Sequence, residues 1–163
     1  MSENRGTIKI RKMDEKDLAA VNAVDRSISG KGRVTTWPFS FETYWRIYQP
    51  KIVFIAELNG EVSGFISGYI EKEERSKYLI RQPHEVDNSL KESNIGWIEM
   101  MGVRPDCWHK GIGKRLIEAF NNECKKTNAT MRIIVRDDDK ELTAFLRNVE
   151  FRKAELTTYE KSS

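Results

Sequence analysis

Residues 103 to 116 run Val-Arg-Pro-Asp-Cys-Trp-His-Lys-Gly-Ile-Gly-Lys-Arg-Leu. An apolar strand, Ile95–Val103, precedes this run. An amphipathic helix follows it, with Ile112, Leu116, Ala119, Phe120 and Cys124 spaced along one face. Strand, proline turn, two glycines one residue apart and helix follow in that order. Such a passage presents unpaired backbone N–H groups at a helix N-terminus, where an anion binds. Lys110 and Lys114 add positive charge at the same place, and a pyrophosphate is the natural guest. A Gly-x-Gly pair alone is a weak signal, because a flexible helix start needs the same residues.

A second candidate for chemistry lies in the strand itself. Glu99 stands in the otherwise apolar run Trp97-Ile98-Glu99-Met100-Met101. Strict alternation predicts that it shares a face with Met101 and Val103. A carboxylate there suits proton abstraction, directly or through water. The plainer alternative is a salt-bridged glutamate or one at the rim. His109 lies in the glycine loop, where contact with a phosphate or with solvent fits it better than base catalysis. Cys107 shares that loop, but no His-Asp partner accompanies it as covalent chemistry would require.

The elements that must position these residues follow from periodicity. Thr7–Arg11 alternates as a half-buried strand. Asp14 starts a helix carrying Leu18, Val21, Val24 and Ile28, which ends at Gly30-Lys31-Gly32-Arg33. A short helix is predicted over Phe41–Tyr48, stopped by Pro50. Ile52–Leu58 and Glu61–Ile70 are strands joined by Asn59-Gly60, a type I′ hairpin signal. Residues 71–94 are charged and weakly patterned, and are expected to form a long loop bordering an acceptor site. Helix Gly111–Thr127, a buried strand Met131–Arg136, a helix capped within Asp137–Asp139 and a last strand Phe151–Glu160 complete the chain. The order is β-α-α-β-β-β-α-β-α-β, which implies an α/β (mixed α+β) sheet with helices on both sides. Trp37, Phe39, Phe41, Tyr44 and Trp45 form an aromatic stretch expected to be mostly core, with some members lining a pocket.

With 163 residues the chain is expected to form one domain, 1–163. A net charge of +3, with no basic-aromatic repeat, argues against nucleic acid as a partner. No apolar run approaches the roughly 20 residues of a membrane span, so no membrane partner is expected. Two cysteines without metal-ligand spacing, and no apolar leader, point to a reducing cytoplasm and no metal.

Val-x-Pro at the strand end followed by Gly-Ile-Gly-Lys-x-Leu resembles the acetyl-CoA signature of the GNAT N-acetyltransferase superfamily, usually written Arg/Gln-x-x-Gly-x-Gly/Ala. The signature falls on Trp108-His109-Lys110-Gly111-Ile112-Gly113, with Trp108 where the family favours Arg or Gln. The resemblance implies a GNAT-type fold, a central mixed, mostly antiparallel twisted sheet of about six to seven strands flanked by about four helices. It implies acetyl-CoA as co-substrate and no metal. The acceptor would be a primary amine on a small molecule, peptide N-terminus or lysine, attacking directly in a ternary complex. Cofactor contacts would come from Trp108, His109, Lys110, Gly111, Ile112, Gly113 and Lys114, and pantetheine would lie along Met101, Gly102 and Val103, with Gly102 at a bulge. Asp139 stands where the family has an Asn and joins that set, and Glu99 becomes the base. The family's thiolate-protonating tyrosine falls on Leu146, leaving Tyr159 as a distant substitute. A catalytically inactive acyl-CoA-binding sensor of the same fold is the alternative. Either form is expected as a monomer or homodimer.

Overall fold

In the computed structural model, residues 6–29, 37–72, 94–154 and 161–162 are described, and five strands among them form one sheet. The elements run β1 (Ile8–Lys12), α1 (Leu18–Ser29), α2 (Phe41–Tyr48), β2 (Ile52–Leu58), β3 (Glu61–Lys72) and β4 (Asn94–Val103). Helix α3 (Ile112–Lys126), strand β5 (Ala129–Ile133) and helix α4 (Lys140–Asn148) follow. The strands lie in chain order across the sheet. The first three pairings are antiparallel and β4–β5 is parallel, so the sheet is mixed and mostly antiparallel as expected. Gly30-Lys31-Gly32-Arg33, residues 73–93 of the expected loop, and Tyr159 lie outside the described residues.

Local chemistry accounts for the boundaries. Asn59 and Gly60 adopt φ of 53° and 87°, the two positive values a type I′ turn requires, and they join β2 to β3. Ser40 Oγ accepts the Thr43 N–H at 3.2 Å to start α2, and Gln49 ends it in the left-handed region just before Pro50. Asp139 starts α4, its Oδ1 accepting the Leu142 N–H at 3.0 Å.

Alternation along the strands divides the interior in two. Phe54, Ala56, Ile66 and Ile98 face α3, where Ile112, Leu116, Phe120 and Cys124 cover them. Val53, Ile55 and Phe65 face the other way, against Val21, Val24 and Ile28 of α1 and Phe41 and Tyr44 of α2. Each large side chain buried in this way stabilises the fold by about 1.5–3 kcal/mol. The Phe41–Phe65 edge contact, with centroids 4.8 Å apart, adds about 0.5–1.5 kcal/mol.

Two expectations are corrected. The strand foreseen at Met131–Arg136 occupies Ala129–Ile133, and Ile134 is exposed. The pairing with β4 ends at Ile98↔Ile133, and among the described residues the chain beyond has no paired neighbour there. Residues 151–154 form no strand, and 155–160 of the expected last strand lie outside the described residues.

One ion cluster ties the first strand to the helix start. Arg11 holds Asp17 with two hydrogen bonds, 2.7 and 2.9 Å, and Glu57 of β2 at 2.8 Å. Asp17 also accepts the Asp14 N–H. The Arg11 guanidinium holds the Asp17 carboxyl down at about 2. Its folded value lies below the unfolded one, about 3.9, so the contribution is complete above that pH and is lost as pH falls toward 2. Urea unfolding across that interval should show stability dropping with acid, and Asp17→Asn should flatten the dependence while being less stable at pH 7.

Candidate functional site: the gap beside β4

The centre of the site is an irregularity in β4. In its pairing with β3, Ser67 faces Met100 while the next residue, Gly68, faces Ile98. Glu99 is therefore the extra residue of a β-bulge. Gly68 makes the bulge possible, since a Cβ there would lie 1.9 Å from the Trp97 carbonyl oxygen. The bulge reverses the expected facing of the residues beyond it. Met101 and Val103 pack toward α3, whereas Met100 packs toward α1 and α2 and the Glu99 carboxylate reaches Tyr44 of α2. Glu99 thus does not share a face with Met101 and Val103. Strict alternation failed because one residue was inserted into the ladder.

Beyond the bulge, β4 continues to Val103 without β5 beside it. The Arg104 N–H donates to Ser63 O at 2.8 Å, which sets the phase of the antiparallel ladder. By that phase Gly102 directs its N–H and C=O toward β3, and Met101 and Val103 direct theirs into the gap. Gly102 is not the bulge. A Cβ on it would lie 2.4 Å from Ile28 Cδ1, so its lack of a side chain serves packing.

The chain then enters a 3₁₀ turn, Pro105–Cys107, and reaches the start of α3. Trp108 turns back, donating its indole N–H to Val103 O at 2.7 Å. His109 has φ 62° and is exposed, as are Lys110 and Lys114. Gly111 starts the helix with φ 83°, and a Cβ there would meet no atom within 4 Å, so this side of the helix start is open. The N–H groups of Ile112, Gly113 and Lys114 fall in the first turn, which lacks intrahelical acceptors. The Ile112 side chain is core, so only its main chain can serve a ligand. At Gly113 the missing Cβ admits the Phe145 ring of α4, 2.9 Å from where the Cβ would stand.

Between α1, Trp37–Ser40, the bulge, the end of β5 and the start of α4 lies a cleft of about 300 Å³. Among the described residues, Glu99, Asp25, Arg26 and Asp139 are the charged groups in its wall. Tyr44 Oη donates to Glu99 Oε2 at 2.6 Å and stands 2.9 Å from Ser67 Oγ. Burial first, then the bond to Glu99, push the Tyr44 phenol well above its ordinary value, so it stays a donor. Trp37 donates its indole N–H to the Glu99 carbonyl. Asp25 accepts the Phe41 N–H at 2.9 Å, and burial raises its carboxyl. Asp139 is buried, with the α4 cap as one of its contacts, and Leu146 is core, where it offers no acid.

Of the expected aromatic stretch, Trp37 and Phe39 line the cleft, while Phe41 and Tyr44 are core. Tyr44 was missed as a site residue because helical spacing marks it only as apolar. Nothing in the local sequence shows that its hydroxyl meets Glu99, 55 positions away.

This arrangement fits a pantetheine pyrophosphate. The outward main chain of Met101 and Val103 can pair with amides, and the open start of α3 can hold phosphate. A model of the acetyltransferase (GNAT) family matches residues 19–151, spanning the bulge, the glycine loop and α4. The chain belongs to the GNAT acetyltransferase family. It is an acyltransferase, and acetyl transfer is the activity its membership supports. Similar solved structures include an aminoglycoside acetyltransferase, meta-AAC0020, from an uncultured soil metagenomic sample, at TM-score 0.66 and 18% identity over 96% of this chain and 95% of that one. Aminoglycoside N-acetyltransferase AAC(6')-Iy in complex with CoA gives TM-score 0.66 at 18% identity over 96% and 95%. The ribosomal-protein-S18-alanine N-acetyltransferase from Escherichia coli gives 0.62 at 19% over 91% and 79%. These likenesses show the fold. No curated protein is similar enough to this chain to count as a match. Among the described residues, no helix is long and apolar enough to cross a membrane.

The bulge depends on Gly68. Gly68→Ala should cost about 3 kcal/mol, near the upper end for overpacking, because the clash is with backbone rather than with a side chain that can move. Urea unfolding of the variant against the parent measures it, and an unchanged midpoint would show that the ladder absorbs the methyl.

Proposed function

We propose that the protein is an acetyl-CoA-dependent N-acetyltransferase whose acceptor is a primary amine on a small molecule, a peptide N-terminus or a lysine. The observation that carries the reading is the gap opened beyond Ile98 and Ile133. The Glu99 carboxylate stands in its wall, and an open helix start follows from the same strand.

Acetyl-CoA supplies an acetyl thioester when bound. Met101 and Val103 pair with the pantetheine through their main chain, although Trp108 already occupies the Val103 carbonyl and leaves its N–H for that purpose. The N–H groups of Ile112, Gly113 and Lys114 hold the pyrophosphate, and Lys110, Lys114 and His109 face it from the exposed rim. Asp139 shapes the wall where α4 starts. The acceptor enters the cleft past Trp37 and Phe39. Glu99 takes the proton its ammonium must lose, so the nitrogen bonds to the acyl carbon as the carbon–sulfur bond breaks and the thiolate departs. Holding both reactants in one gap supplies much of the rate gain, and general-base catalysis adds about 10²–10⁴. The two cysteines, buried and free, accord with a reducing, cytoplasmic compartment.

Acetyl-CoA should raise the Tm of the protein, because a ligand that binds only the native state stabilises it. Gly111→Val should abolish the shift, since a β-branched residue strains the left-handed backbone that opens the helix start. A shift of the same size in the variant would remove the glycine loop from the site.

Thiol release from acetyl-CoA should be followed with sisomicin, an alanine-initiated peptide and spermidine. Glu99→Gln should slow turnover of whichever amine is used by about 10²–10⁴, with KM for acetyl-CoA nearly unchanged. Equal rates in parent and variant would make Glu99 a structural residue. Binding of acetyl-CoA without turnover of any amine would favour the acyl-CoA sensor.

A further inference from the structure

Glu99 is gripped at both ends by aromatic donors. Tyr44 Oη holds the carboxylate and Trp37 Nε1 holds the main-chain carbonyl of the same residue. The directions of these bonds are forced. An ionised carboxylate only accepts, so the single phenolic proton goes to Glu99 Oε2. The Ser67 hydroxyl, 2.9 Å from the phenol oxygen, must then donate to it. The chain runs Ser67 to Tyr44 to Glu99, and two of its three members, Ser67 and Tyr44, are at most 2% exposed. Among the described residues, Glu99 Oε1 has no hydrogen-bond partner, and Glu99 lines the cleft.

A bulged residue needs such support. It stands outside the regular β3–β4 pairing, and a glutamate side chain left free loses about 1.5–2 kcal/mol of rotamer entropy when it is ordered. Tyr44 comes from α2, Trp37 from the segment before it, and Ser67 from β3, so the grip joins a helix and two strands around one residue. The phenol ring is itself fixed by Phe41, whose centroid is 5.8 Å away, and by Tyr48 at 5.6 Å.

We propose, resting on the reading of Glu99 as the base, that Tyr44 and Trp37 are positioning residues. They clamp the bulged glutamate so that Oε2 is held and Oε1 is left for the acceptor amine. Neither touches the acetyl group. They act by keeping one geometry of the base populated, the preorganisation on which proton transfer depends.

The test compares Tyr44→Phe, Trp37→Phe, Glu99→Gln and the double variant Tyr44→Phe/Glu99→Gln, with acetyl-CoA and the panel amine turned over fastest. Tyr44→Phe keeps the ring and deletes only the hydroxyl. The expected result is a drop in kcat of about tenfold, in line with the loss of one hydrogen bond to a charged group, with KM for acetyl-CoA and the acetyl-CoA Tm shift unchanged. Trp37→Phe should lower kcat in the same way. The double variant should be no slower than Glu99→Gln, because Tyr44 acts only through that carboxylate. Full kcat in Tyr44→Phe beside an impaired Glu99→Gln overturns the clamp and leaves the base reading standing. Further slowing in the double variant, beyond Glu99→Gln alone, also overturns it, because the tyrosine then matters independently of the glutamate. Full speed in Glu99→Gln overturns the base reading, and with it any positioning of that base.

Discussion

The site depends on one inserted residue. Where β4 passes Gly68, Glu99 has no place in the ladder, and the strand beyond it changes facing. From that insertion follow the end of the β4–β5 pairing, the gap between those strands and the reversed facing of Met100, Met101 and Val103. The bulge is permitted by the absence of a Cβ on the opposite strand. Gly68 lies so close to the Trp97 carbonyl that any side chain would push β3 and β4 apart. A sheet without this defect would continue its parallel pairing, bury Glu99 in a ladder, and leave no edge for an extended ligand.

The sheet also separates two environments with different tasks. On one side α3 covers an apolar core and presents its open N-terminus to solvent. On the other, α1 and α2 enclose the polar chain from Ser67 through Tyr44. Glu99 is the residue through which the two sides meet, since its backbone belongs to the strand that feeds α3 and its side chain is held by α2. Several glycines serve this layering by close approach rather than by turning the chain. Gly96 admits Cys124 and Phe120, Gly102 admits Ile28, and Gly113 admits Phe145. Cys124 is accordingly a packing group, and burial raises its thiol.

Trp108 shows how a departure from a family pattern is absorbed. An arginine or glutamine at that place could reach toward phosphate. The indole instead folds inward and satisfies the outward carbonyl of Val103, which has no other strand beside it among the described residues. The loop is thereby tied to the strand it leaves. The neighbouring Arg104–Asp106 pair, at 2.7 Å, is too exposed to add much. In the proposed reading, anion binding rests on main-chain N–H groups and the exposed lysines, which need no particular residue at 108.

Much of this was legible in the residues alone. The glycine loop, the type I′ hairpin at Asn59-Gly60, α2 over Phe41–Tyr48 and a helix cap within Asp137–Asp139 follow from local rules, because turns, caps and amphipathic faces are decided within a few positions. Those rules also named Glu99 as a carboxylate out of place in an apolar strand. They could not say where it points. Which neighbours share its face depends on a bulge that the bare backbone of Gly68 on another strand permits, and its hydrogen bond comes from Tyr44, which helical spacing marks only as core. The end of β5 was misplaced for the same reason, since pairing stops where its neighbour bulges rather than where apolar residues run out. The sequence by itself determined which groups could do chemistry. Only the tertiary structure decided which of them meet, because a ladder's register and the partner of a buried hydroxyl are set by chain segments far apart in sequence.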